Sequence, residues 1–363
     1  MRDLFDATYL KQVQLKNRFV RSASWEQMAS DDGRMNDRLF AVYENLAKGQ
    51  VGLIITSYTF VALDGQPNPG MLGIYDDRGH DDYRALTEMV HGHGSAIVMQ
   101  IVYGGTQTFF NPLDRTILGP SAVAEMATGV VAKEANQPEI HDLVKAFGDA
   151  AIRAKNAGFD GVQIHCAHGY SFGQWLSPYH NRRSDLYGGS IENRARIIFE
   201  TYEEIRRRCG LHFLVMIKIN SEDFVADGAT FEDCRFVCRE LARRGIDAVE
   251  ISGGVFAAEE RLRWARPHVV NSEDEAYFAP YAAQIAAEID VPVILVGGLK
   301  SLEVMERLLA ETKIEYFSMA RALMTEPGLI QRWMKGDRRA SKCVSCNQCR
   351  HPQGNICILR RQV

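Results

Sequence analysis

Two imidazoles and a phenol stand within six residues in His165-Cys166-Ala167-His168-Gly169-Tyr170, directly after the apolar run Asp160-Gly161-Val162-Gln163-Ile164. Side chains of these types can hydrogen-bond a developing oxyanion or move a proton. A barrel enzyme gathers its reacting groups at such a place, the carboxyl end of a strand. A His-x-x-His pair can instead ligate zinc, but a catalytic zinc takes a third ligand of His, Cys or carboxylate type. Cys166 is a poor third ligand, because neighbouring residues of an extended segment point to opposite sides. A packing role fits one of the two histidines more readily than both on one loop. A second constellation lies in the tail, where Cys343, Cys346, Cys349 and Cys357 form a C-x2-C-x2-C-x7-C pattern. Four thiolates so spaced can bind a [4Fe–4S] cluster or a structural zinc, with free thiols as the alternative.

The elements that must position these residues can be read from periodicity. Short apolar runs alternate with amphipathic stretches eight times. Strands are expected over 18–23, 51–60, 96–101, 160–166, 214–220, 248–253, 291–298 and 316–323. Each is rich in Val, Ile or Leu with little polar alternation, as parallel strands covered on both faces require. Helices are expected over 38–48, 81–93, 141–157, 193–209, 231–244, 277–289, 302–311 and 327–335. In the first of these, Leu39, Val42, Tyr43 and Leu46 recur at the spacing that places them on one face. Gly158, Gly210 and Gly245 follow helices where a C-terminal cap favours positive φ. Strict alternation predicts an α/β fold, a closed (β/α)8 TIM barrel over residues 1–335, with a short cysteine-containing tail over 336–363. An open doubly wound sheet is the runner-up, but it usually carries a G-x-G-x-x-G after the first strand, and none occurs. The loops 63–80 and 103–138 are long, as lids and substrate walls are.

Composition narrows the partners. Of 363 residues 46% are apolar and 24% charged, and the net charge is −4. Nothing there attracts a polyanion, so nucleic acid is not an expected partner. No apolar run reaches the length of a membrane span, and Met1-Arg2-Asp3-Leu4-Phe5-Asp6 lacks the apolar core of a signal peptide. Scattered cysteines such as Cys166, Cys209, Cys234 and Cys238 do not form a secreted disulfide framework, so a cytoplasmic protein is expected. A homo-oligomer is compatible with the sequence, which does not set the assembly.

The last two strand runs end in Val296-Gly297-Gly298-Leu299-Lys300-Ser301 and Met319-Ala320-Arg321-Ala322. In barrels that bind a phosphorylated ligand, the loops after these strands form the phosphate site. Glycine lets backbone amides approach an anion, and Arg321 offers a guanidinium that can meet two phosphate oxygens. Alternatively the glycines serve a tight turn and Arg321 pairs with a carboxylate.

Several stretches together resemble a known family. They are Asn17-Arg18-Phe19-Val20-Arg21-Ser22-Ala23, Val51-Gly52-Leu53-Ile54-Ile55, Gln100-Ile101, His165-x-x-His168-Gly169-Tyr170, Leu176-Ser177-Pro178, and the run from Asn181-Arg182-Arg183-Ser184-Asp185-Leu186-Tyr187 through Gly188-Gly189-Ser190-Ile191-Glu192-Asn193-Arg194. From residue 3 to about residue 335 the chain resembles the Old Yellow Enzyme family of FMN-dependent ene-reductases. Within it, the branch with 2,4-dienoyl-CoA reductase and the single-domain NADH:flavin oxidoreductases is the most similar. Larger members carry a second, dinucleotide-binding half, which is not expected in this chain.

The resemblance implies a set of roles. Ser22 and Ala23 would lie along the flavin, with Tyr58 near it. Gln100 would bond its pyrimidine edge, and Lys218, where the family often has arginine, would stand beside N1. Ser252, Gly253, Gly254, Gly297, Gly298, Ala320 and Arg321 would hold the ribityl phosphate. His165 and His168 would grip the carbonyl oxygen of an α,β-unsaturated substrate, and Tyr170 would protonate its α-carbon. NAD(P)H would supply the hydride through flavin N5. The chain also departs from the family pattern. Tyr103-Gly104-Gly105-Thr106 replaces the family's His-x-Gly-Arg, which alters a polar contact on the substrate side. Trp25 and Glu26 replace a small or sulfur-bearing residue, so Trp25 is expected to narrow the pocket or shift the flavin potential, with packing under the barrel rim as the alternative. The cysteine intervals in the tail are shorter than those of the cluster-bearing relatives. Two other functions fit parts of the pattern: a flavin-binding sensor or storage protein with Trp25 filling the pocket, and a flavin-free barrel lyase on a phosphorylated substrate.

Overall fold

A computed structural model describes residues 2–361; Met1, Gln362 and Val363, the outer ends of the two expected segments, lie outside the described residues. Eight strands carry the fold: β1 (Phe19–Arg21), β2 (Leu53–Ile55), β3 (Ala96–Val102), β4 (Gly161–Cys166), β5 (Leu214–Asn220), β6 (Ala248–Ser252), β7 (Val293–Val296) and β8 (Tyr316–Met319). All neighbours pair in parallel, and β8 pairs with β1, so the sheet closes on itself. A helix follows each strand: α1 (Asp37–Lys48), α2 (His80–Gly92), α3 (Gln137–Asn156), α4 (Arg196–Cys209), α5 (Phe231–Arg244), α6 (Ala279–Glu288), α7 (Leu302–Glu311) and α8 (Leu329–Met334). The expected (β/α)8 barrel is the fold. Among the described residues no helix is long and apolar enough to cross a membrane.

Local chemistry accounts for the element ends. Asn36 caps α1 by accepting from the amide of Leu39, and capping boxes start α3 at Asn136 with Glu139 and α5 at Thr230 with Asp233. Gly158, Gly210 and Gly245 take φ of 88°, 76° and 87° after their helices, the left-handed region only glycine enters freely.

The barrel interior shows which end is open. Val20, Leu53, Ile55, Val98, Leu214, Met216, Ala248, Ile294 and Tyr316 pack inward with Leu10 and Leu15. Those two leucines come from an N-terminal hairpin, Thr8–Leu10 with Val13–Leu15, that plugs the amino end of the barrel. Burying each stabilises by about 1.5–3 kcal/mol. The polar side chains gather at the opposite, carboxyl end.

The structure differs from the sequence expectation at three places near that end. The strand expected over 51–60 stops at Ile55, because Thr56 and Ser57 turn their polar groups to Gln100 and Tyr43, and a short piece, Thr59–Phe60, then pairs with β3. The strand expected over 316–323 stops at Met319, and its apolar continuation is one face of a short helix, Arg321–Thr325. A helix at Ser171–Leu176 follows the histidine loop; it is buried all round, so it carried no amphipathic signature.

Candidate active site at the barrel mouth

A cavity of about 550 Å³ opens at the carboxyl ends of the strands, within the usual range for small-molecule sites. Its lining includes Ser22, Ala23, Trp25, Tyr58, Gln100, His165, His168, Tyr170, Lys218, Ser252, Gly297, Gly298, Ala320 and Arg321. Three expected residues stand elsewhere. Gly253 packs under Phe278 and Gly254 against Leu262 and Arg263, where a Cβ would come within 2.6 and 2.3 Å of its neighbours. Tyr103 is buried outside the cavity lining, donating to Asp64 at 3.1 Å and accepting from the Leu118 amide, so it braces a loop.

β4 delivers His165, and the chain then reverses through His168 (φ 61°) and Gly169 (φ 82°). The unusual backbone at His168 is held from both sides. Its N–H donates to Asn220 at 3.1 Å and its carbonyl accepts from Gln107 at 2.7 Å. The two imidazole centroids are 5.3 Å apart, and Tyr170 lies 5.1 Å from His165. His168 stacks on Trp264 at 4.9 Å, and its Nε2 is 2.7 Å from Ser252 Oγ. Ser252, expected at a phosphate, therefore orients an imidazole. The Tyr170 hydroxyl is 3.4 Å from those of Tyr58 and from the amide of Asn68, which also donates to Tyr58 at 3.0 Å.

Burial pushes both imidazoles well below the ordinary histidine range, and the Lys218 cation adds to the shift. Burial pushes the Tyr170 phenol up. At neutral pH the loop thus presents two uncharged rings, each with one N–H to donate, and a protonated phenol. A folded-state pKa below the unfolded value of about 6.5 means the stabilisation is complete above that pH and is lost as pH falls. The stability advantage of the wild-type protein over His165→Asn should shrink between about pH 7 and pH 5. Urea titrations at several pH values check it; a constant gap contradicts it.

Beneath the histidines runs a buried polar chain that the sequence did not announce. Gln100 donates from Nε2 to Gln163 Oε1 at 2.7 Å, and Gln163 donates from Nε2 to Glu250 Oε2 at 2.8 Å. Glu250 Oε1 accepts from Ser22 at 2.9 Å and from Lys218 at 3.2 Å, and Lys218 also donates to Ser22 at 2.8 Å. Strand register brings these groups together: Gln100 stands opposite Gln163, and Lys218 opposite both His165 and Glu250. One signal was present in the sequence. Gln163 and Glu250 interrupt runs otherwise filled by Val and Ile, and a polar side chain buried there needs a partner.

At the far side, Gly297 and Gly298 take φ of 128° and 73°, and a Cβ on either would come within 2.9 Å of Tyr277. The amides of Lys300 and Ser301 are already taken by the Glu275 carboxylate. Arg321 donates to the carbonyl of Arg266 and to Asn347, and it forms no ion pair among the described residues. The tail walls this side of the cavity. Asn355 donates to the carbonyls of Glu26 and Trp25, and Arg350 lies 5.9 Å over the Trp25 ring. Trp25 itself is held by a bond from Nε1 to the Pro69 carbonyl.

These residues suit FMN. Buried polar atoms of His165, Gln107, Ser318 and Asn355 on the cavity wall have no partner within the protein, which a polar heterocycle would supply. The bare glycines and unpaired Arg321 suit its phosphate. The tail thiols fit a metal less well. Among the described residues no three His, Cys, Asp or Glu side chains stand in ligating geometry. The cysteines are nevertheless neighbours: burial, then Cys357, Cys343 and Cys346, push the Cys349 thiol up to about 11.

Residues 3–339 match the NADH:flavin oxidoreductase / NADH oxidase family. The chain is 31% identical to an NADH oxidase of Thermoanaerobacter brockii over 95% of its own length and 53% of that protein's. It is 32% identical to an NADPH dehydrogenase of a Geobacillus species over 89% of this chain and 91% of that one. Its fold matches an Old Yellow Enzyme homologue of Zymomonas mobilis with a TM-score of 0.82 at 22% identity, covering 98% of both chains. The chain thus spans about half the length of the first of these relatives and most of the second. The match over almost the whole barrel, on a cavity built as described, settles its kinship: the chain belongs to the NADH:flavin oxidoreductase / NADH oxidase family.

Proposed function

We propose that this protein is an FMN-dependent ene-reductase that uses NAD(P)H to reduce the C=C bond of an α,β-unsaturated carbonyl compound, whether enone, enoate or enoyl thioester. The observation that carries this reading is the convergence of two uncharged imidazoles and a protonated phenol on a cavity whose wall also bears Gln100 and Lys218. When bound, FMN would supply hydride transfer between NAD(P)H and the β-carbon of the alkene. The protein's part is positional. His165 and His168 hold the substrate carbonyl oxygen and stabilise the negative charge that gathers there. Tyr170, steadied by Tyr58 and Asn68, gives its proton to the α-carbon. Gln100, Lys218, Ser22 and Ala23 would face the flavin ring; Gly297, Gly298, Ala320 and Arg321 would face its phosphate. Trp25 and the tail close one side against water.

The family's NADH oxidase and NADPH dehydrogenase support the reductant class, and the cytoplasm is the compartment where such a reductant is regenerated. Residues 1–335 form the catalytic unit in this reading, with 336–363 as an attached wall. A [4Fe–4S] cluster or zinc on Cys343, Cys346, Cys349 and Cys357 is its finer part, supported by the gathering of three thiols around Cys349. Anaerobically purified protein should show the visible spectrum of oxidised flavin, bleach with NADH or NADPH, and recover colour on adding 2-cyclohexenone. A colourless protein that takes up no FMN overturns the reading. Iron and zinc assays on the same sample decide the tail.

A further inference from the structure

Glu250 is fully buried and does not line the cavity, yet it accepts hydrogen bonds from Gln163 on β4, Lys218 on β5 and Ser22 just after β1. We infer that Glu250 is a positioning residue that fixes the hydrogen-bond direction of Gln100 and offsets the charge of Lys218 at the cavity wall. The inference rests on the flavin reading above.

The directional part follows from what each group can donate. An ionised carboxylate only accepts, so Gln163 must turn its NH2 toward Glu250 and its carbonyl toward Gln100. Gln100 must then answer with its own NH2. Flipping either amide would set two oxygens against each other at 2.7 or 2.8 Å. Gln100 is left with its carbonyl oxygen and one N–H for whatever lies in the cavity. The amide that the ligand meets is therefore oriented two residues away, by a side chain the ligand never reaches. The pyrimidine edge of a flavin alternates acceptor, donor and acceptor, so an amide of fixed direction pairs with it in one register only.

The charge part is Coulombic. Lys218 lines the cavity, and its ammonium stands 3.2 Å from Glu250 with both side chains almost fully buried. The carboxylate cancels much of the positive field that the ammonium would otherwise present to a bound flavin. Reduction adds negative charge to that ligand, so Glu250 holds its potential down.

Two variants separate the parts. Glu250→Gln removes the charge and the directional constraint together. Gln163→Met interrupts the relay while leaving the Lys218–Glu250 pair in place. The full-length apoprotein is titrated with FMN, and the midpoint potential of each reconstituted protein is measured anaerobically. Both variants should bind FMN about tenfold more weakly, the scale of one well-placed hydrogen bond. Only Glu250→Gln should raise the potential. Wild-type affinity in Gln163→Met overturns the relay, and that variant decides the point even if Glu250→Gln does not fold. An unchanged or lower potential in Glu250→Gln overturns the charge role. A wild-type protein that takes up no FMN overturns the flavin reading, and this inference with it, a result no difference between variants can imitate.

Discussion

Replacing Tyr170 by Phe should leave FMN content and its reduction by NAD(P)H unchanged while slowing enone-dependent reoxidation by about 10²–10⁴-fold, the usual worth of a positioned general acid. The substitution removes one hydroxyl and keeps the ring, so packing at 5.1 Å from His165 and 5.3 Å from Tyr58 survives. The hydroxyl's bonds to Tyr58 and Asn68 are long, 3.4 Å each, so their loss costs little stability. Stopped-flow measurement of the two half-reactions separates the outcomes. Slowing in both would point to a disturbed flavin site. Slowing in neither would move the proton donor elsewhere, and the neighbour to test is Tyr58. Its hydroxyl shares Asn68 with Tyr170, and burial keeps it protonated. A residual rate in Tyr170→Phe that disappears in Tyr58→Phe/Tyr170→Phe would assign Tyr58 as the substitute.

The fold was legible because parallel strands covered on both faces leave an apolar signature, and because eight helices alternate with them. The bounds of β5, α5 and α7 agree with the periodicity to the residue. The reacting groups were legible because His165 ends a strand and its partners follow at once. What escaped was long-range. Asn68 and Gln107 lie on loops without periodicity, and only the folded chain shows that they hold Tyr170 and the His168 backbone. Tyr103 follows β3 directly, so its position pointed to the cavity; its hydroxyl instead satisfies Asp64 and a loop amide. Ser252, which the resemblance set at a phosphate, lines the cavity with its hydroxyl beside His168, while the turn at Gly253 and Gly254 carries the chain away. The tail was the least legible. Its cysteines drew attention to metal, whereas Cys343 and Cys349 stand with Asn347, Arg350 and Asn355 on a cavity wall.

Lys218→Met should cost about 3–5 kcal/mol of folding stability, the price of leaving a buried carboxylate without its counter-charge. Glu250 has no exposed surface from which to recover hydration, and Ser22 and Gln163 supply only neutral donors. Methionine fills much the same volume, so packing loss is not the cause. The double variant Lys218→Met/Glu250→Gln tests that statement. It removes both charges while keeping acceptor and donor atoms at position 250, and it should regain most of the loss in urea unfolding. A single-variant cost below about 1 kcal/mol would place the pair in the class of solvated surface bridges. Failure of the double variant to recover would mean that the lysine stem, not its charge, carries the stability. Recovery has a further consequence for function. If the charges cancel in stability, the fold does not need Lys218, and a buried cation at the cavity wall is there for the ligand.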